Sequence, residues 1–147
     1  SLFKVFPLKY LSIFSIFACK KTETAPVSDL IKKNWTVKSV SENGASVYVN
    51  GASNNIKPGY INFKLNLGEG GNASLTEIDN VNFVGKWEIT ADNANLTLSN
   101  LNPQPTESNG VLTFKILDVS SDGLTLLSNK ENLKTGSSIN TYELIPK

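Results

Sequence analysis

From Trp35 onward, apolar and polar residues alternate with a period of two, the mark of half-buried β-strands. Residues 35–41 open the series, Asn43-Gly44 supplies a hairpin turn, and 45–49 come next. Residues 60–67 alternate cleanly, with Ile61, Phe63, Leu65 and Leu67 on one face and Asn62, Lys64 and Asn66 on the other. After a glycine-rich break come 73–78 and then 81–89, where Val81, Phe83, Gly85, Trp87 and Ile89 oppose Asn82, Lys86 and Glu88. Residues 95–101, 111–119, 124–128 and 139–145 complete the set; Leu112, Phe114 and Ile116 share a face, as do Tyr142 and Leu144. Turn-forming residues fill the spaces at 50–59, 102–106, 121–123 and 130–138, and Pro103 and Pro105 stay out of any ladder.

Eight or nine short strands with turn signals every eight to twelve residues predict an all-β sandwich or barrel. Sequential strands usually pair, so the simplest layout is an antiparallel meander closed on itself: an up-and-down barrel. The one helical candidate is 28–33, with Ser28 as its cap, Asp29 in its first turn and Lys32 and Lys33 in its last. Such a short helix needs a larger element to pack against.

Composition narrows the chemistry. The chain of 147 residues has 39% hydrophobic and 18% charged residues, enough apolar material for one core. It contains no histidine, and all 14 basic residues are lysines. That excludes Ser-His-Asp and Cys-His nucleophile systems, histidine-ligated metals and haem, and arginine clamps. The net charge of +1 carries no footprint of nucleic-acid binding. No catalytic residue, cofactor or metal is expected.

The first segment has the three parts of an export signal: Lys4 and Lys9 at its start, an apolar run over 10–18, and the small Ala18 before Cys19. That run is too short to span a membrane as a helix. Cys19 is the chain's single cysteine and has no histidine to activate it. Ile16-Phe17-Ala18-Cys19 resembles a bacterial lipobox, which makes Cys19 the expected acceptor of acyl chains that hold the protein on a membrane. The expected organisation is a signal peptide over 1–18, a polar tether over 19–27 and a barrel domain over 28–147. The expected address is the outer membrane, with the domain facing the periplasm or the outside.

A short helix leading into Trp35, followed by eight or so meandering strands behind a lipobox, resembles the small lipocalin-like lipoproteins of Bacteroidetes-type bacteria. Val81 to Ile89 with its Gly85-Lys86-Trp87, Leu96-Thr97-Leu98 and Tyr142-Glu143-Leu144 carry the resemblance. It implies a lipocalin-like barrel with Trp35 as the plug of one end, although Lys33 stands where such proteins have a glycine two residues before the tryptophan.

The expected function is that of a binding protein, with Phe63, Phe83, Trp87 and Phe114 offering apolar contact to a small hydrophobic ligand. The same aromatics would equally serve as barrel filling. In the alternative, the barrel is solid, and loops 50–59, 102–110 and 130–138 dock an envelope protein partner. A cavity of about 300 Å³ or more favours the ligand; a filled interior favours docking. Glu77, Asp79, Glu88, Asp92, Asp118 and Asp122 are the acids from which a carboxylate pair or calcium site could be built. Asp79-Asn80 and Asp92-Asn93 sit where turns need such residues, and 118–122 lacks a calcium-loop pattern. The lysines are read as a solvated outer surface.

Overall fold

The alternating segments pair into one sheet in a computed structural model that describes residues 25–147. The expectations for the export segment and Cys19 lie outside the described residues. Among those described, a helix α1 (Val27–Ile31) precedes nine strands: β1 (Asn34–Glu42), β2 (Ala45–Val49), β3 (Lys64–Leu67), β4 (Asn72–Thr76), β5 (Asn82–Ile89), β6 (Asn95–Asn102), β7 (Leu112–Val119), β8 (Leu124–Ser128) and β9 (Asn140–Pro146). The sheet runs β2-β1-β3-β4-β5-β6-β7-β8-β9, and β1 also pairs with β9. Every pairing is antiparallel. Eight strands, β1 and β3 to β9, therefore close an up-and-down barrel, with β2 added beside β1 as an extra strand.

β1 is the seam. One edge pairs with β9 from Trp35 to Glu42; the other pairs with β3 at Asn34–Thr36 and with β2 at Ser39–Glu42. Inward positions fill the interior with Val37, Val40, Leu65, Leu67, Leu75, Leu96, Leu98, Leu124, Leu126 and Leu144, all buried. Leu98 and Leu101 are both buried although they are three apart, because the β5–β6 register shifts between Val84 and Lys86. Gly85 sits at that shift, where a Cβ would collide with the Ser99 carbonyl. The glycine of Gly85-Lys86-Trp87 thus permits a close backbone approach.

Two local expectations are corrected. The helix is a single turn that ends at Ile31, and its cap position is Pro26 rather than Ser28, with no side-chain capping bond. Residues 60–63 are not strand: Pro58–Asn62 forms a 3-10 turn, and β3 begins only at Lys64. Ile61 therefore points outward at 65% exposure, while Tyr60 is buried. Pro58 cannot donate to a ladder, and the Tyr60 hydroxyl donates to the buried Glu42 carboxylate at 2.6 Å, which draws its ring inward.

The barrel's two ends differ. At one, α1 and the connections 68–71, 90–94 and 120–123 are short. At the other, the connections 50–63, 103–111 and 129–139 are long, and 43–44 and 77–81 are short.

Candidate functional site

Trp35 closes the short-loop end. It is fully buried, and its Nε1 donates to the Ile31 carbonyl at 2.8 Å, fastening α1 across the barrel. Lys33 Nζ lies 5.6 Å from the Trp35 ring centroid and its ammonium donates to the Ser121 carbonyl, so a cation covers the plug.

The long-loop end is built from polar groups brought inward. Along β4 and just past its end, Ala73, Leu75 and Glu77 share a parity, and all three are buried. In β9 the inward positions are Asn140, Tyr142 and Leu144. Asn140 is fully buried, and its Nδ2 donates to the Tyr142 hydroxyl and to Thr135 Oγ1, each at 3.1 Å. Its Oδ1 accepts from Ser138. Glu42 accepts from Tyr60 and pairs with Lys57. These bonds satisfy groups whose burial would otherwise cost about 1–3 kcal/mol each, and they tie loops 50–63 and 129–139 to the barrel wall.

Between loops 103–111 and 129–139 the interior opens into a cup of about 600 Å³. Val111, Leu112 and Phe114 of β7 and its entry, with Ile139 and Leu133, give the cup apolar surface. Tyr142, Asn132, Glu77 and Lys134 give it polar surface. Lys134 Nζ stands 3.0 Å from Glu77 and 2.9 Å from Asp79, and 4.8 Å from the Phe83 ring centroid. One ammonium thus links the β4–β5 turn to the β8–β9 loop. Glu107, Lys130 and Glu131 also line the cup, so its mouth, with Asp79, holds more acids than lysines.

The titrations reflect these contacts. Burial pushes the Tyr142 hydroxyl up to about 12, with the Glu77 and Glu42 charges adding to it against the hydrogen bonds from Asn140 and Asn132. Burial and the bond to Glu42 hold the Tyr60 hydroxyl well above the usual tyrosine range. Burial disfavours the Lys134 ammonium, but bonds to Asp79 and Glu77 outweigh it and raise its value. Burial works the other way on Asp79, where the bonds from Lys134 and the Val81 amide win and hold its carboxyl low.

Of the four aromatics expected at a ligand, Phe114 lines the cup. Phe63 stacks on Tyr142 with centroids 4.5 Å apart and stands behind it. Phe83 lies under Lys134. Trp87 is half-buried and bonds through Nε1 to the Gly68 carbonyl at 2.9 Å, at the short-loop end. The expected acids separate too: Glu77 and Asp79 meet at Lys134, whereas Glu88, Asp92, Asp118 and Asp122 are exposed. The reading of the lysines as solvated surface fails at Lys57 and Lys134, which are paired at this end. Alternation alone missed Tyr142, Asn140, Glu42 and Lys134 as a group. The signal that could have found three of them is a polar residue at an inward strand position.

A family model described as a lipocalin-like domain matches residues 31–126. A lipocalin-like protein from Bacteroides uniformis is 16% identical, with a TM-score of 0.47 over 80% of this chain and 99% of its own. An uncharacterized protein from Bacteroides eggerthii is 12% identical, with a TM-score of 0.45 over 78% of this chain and 98% of its own. No curated protein matches the chain.

Proposed function

The chain belongs to the family of lipocalin-like domains, and on that premise we propose that it is a non-catalytic binding protein that holds a small amphipathic molecule in the cup at the long-loop end. The observation that carries this reading is the cup itself. At about 600 Å³ it lies within the range of ligand pockets and well above the roughly 300 Å³ at which such pockets begin. The barrel is filled where Trp35 closes it and hollow where the long loops meet. A proposed lipid anchor on Cys19 would keep the domain at the outer membrane, facing the periplasm or the outside.

Native mass spectrometry of the protein purified from its own membrane tests both parts together. The expected spectrum shows an acylated chain beginning at Cys19 and an additional small-molecule mass that leaves on mild activation. Leu112→Trp, which places an indole in the cup, is expected to remove that second mass while the acyl mass stays. An unprocessed chain sinks the anchor, and a bare chain from both proteins sinks the ligand.

The docking alternative has one observation in its favour. Ile56 is 75% exposed in loop 50–59, one of the loops expected to make such contacts, and Ile61, just beyond that loop, is 65% exposed. A bare cup together with co-purification of an envelope protein that is lost in Ile56→Ser/Ile61→Ser would favour it.

A further inference from the structure

Tyr142 and Glu77 face the cup with unused hydrogen-bonding capacity of opposite sense. Tyr142 is 2% exposed and lines the cup. Its oxygen accepts from Asn140 Nδ2 at 3.1 Å, and among the described residues no acceptor takes its own proton. Glu77 is 8% exposed and also lines the cup. One of its oxygens meets Lys134 Nζ, which is shared with Asp79, and the other has only a long contact of 3.4 Å from Asn132 Nδ2. A carboxylate has about four acceptor positions, so Glu77 can take a further donor. Asn132, whose Nδ2 makes that long contact, also lines the cup.

We propose that the cup selects an uncharged amphipath whose polar end both accepts and donates a hydrogen bond, an alcohol or a primary amide, and that it rejects carboxylates. Tyr142 donates to the ligand oxygen, and Glu77 accepts the ligand's O–H or N–H. The apolar body covers Val111, Leu112 and Phe114. A buried donor left without a partner costs free energy, so a ligand that supplies the acceptor gains what a hydrocarbon cannot. A carboxylate could accept from Tyr142, but it would bring a negative charge to Glu77 and Asp79 at a mouth already richer in acids than lysines. An ammonium would satisfy Glu77 and leave the Tyr142 proton without an acceptor. This inference rests on the cup being the ligand site.

The test uses the full chain in lipid nanodiscs, with empty nanodiscs as the blank, and titrates it calorimetrically with 1-octanol, octanamide, octanoate and octylammonium. Octanol and octanamide are expected to bind about tenfold more tightly than octanoate, the equivalent of one hydrogen-bonding advantage. Tyr142→Phe keeps the ring against Phe63 and removes the donor; the advantage of octanol should fall by about tenfold. Glu77→Gln keeps the shape and removes the charge, so octanoate should gain on octanol. If Tyr142→Phe does not fold, the Glu77→Gln arm still decides. Equal affinities for all four probes, or a preference for octanoate or octylammonium, overturn the selectivity while leaving the ligand cup in place. Binding of none of the four overturns the cup as a ligand site, and the selectivity with it.

Discussion

The two ends of one barrel use the same strands for opposite purposes. At the short-loop end the interior is closed by Trp35 and Ile31, both fully buried, under connections of only a few residues. At the long-loop end the interior holds Glu42, Glu77, Thr135, Ser138 and Asn140, buried and bonded to one another or to the loops above. Apolar closure is non-directional and is limited by shape alone. A polar end needs partners in defined places, and it leaves room between them. The difference separates stability from recognition: one end is filled and the other is arranged.

The largest effect should come from removing the plug. Trp35→Ala deletes a fully buried indole and the bond that fastens α1, and the expected loss is about 3–5 kcal/mol. Trp87 is only half-buried, though it also bonds a backbone carbonyl. Trp87→Ala should cost about 1–3 kcal/mol, below the value for a fully buried aromatic. Urea titration of both variants gives the comparison directly. Equal losses would mean that Trp35 is no special closure of the short-loop end.

Those two tryptophans also show how far the sequence could be read. The alternation of Leu96 with Leu98, and of Tyr142 with Leu144, is a local property of strands, and it gave the barrel and its order because neighbours in sequence are neighbours in the sheet. Parity counted from Trp87 puts it on the inner face with Phe83 and Ile89, and the structure packs it against the core there, though it stays only half-buried. What alternation could not foresee is the register shift opposite Gly85, where an extra β6 residue turns Leu101 inward out of parity with Leu98, because a shift depends on the paired strand. The same holds at Tyr60, where Pro58 and the long-range bond to Glu42 reset the alternation. The cup was illegible for a related reason. Glu77 and Lys134 are separated by most of the sheet in sequence, and nothing in the loop 130–138 by itself reveals which carboxylate its lysine will meet.

Asn140 gives the next effect. Its side chain holds Thr135, Ser138 and Tyr142 together at the long-loop end. Asn140→Ala leaves those groups short of partners, at an expected cost of about 1–3 kcal/mol. The loss should come with faster amide exchange confined to loop 129–139, while the amides of α1 keep their protection. Protection lost equally at both ends would show that the polar network supports the whole barrel and does not merely hold its own loop.

The smallest effect concerns the Lys134 link, and its sign is set by the two titrations. Asp79 is held below its ordinary value of 3.8, so its contribution is present above that pH and is lost as the pH falls through the lowered folded value. Lys134 is held above its ordinary value of 10.5, so its contribution is present below that pH and is lost as the pH rises through the raised folded value. Lys134→Met keeps the stem over Phe83 and removes the charge. Because the Asp79 side chain is 43% exposed, solvent screening should limit the difference between parent and variant to about 1 kcal/mol or less near neutral pH. That difference should shrink in acid and again in strong alkali. Tyr142, raised to about 12, also loses its contribution in alkali; it does so in parent and variant alike and cancels in the difference. The short-loop end supplies the control. Lys32 and Glu69 form a pair with Glu69 at 87% exposure, and Lys32→Met should cost less than Lys134→Met near neutral pH. A Lys134→Met difference that stays constant from acid to alkali would assign the link to packing of the lysine stem on Phe83 rather than to its charge, and the two ends would then be held by the same kind of contact.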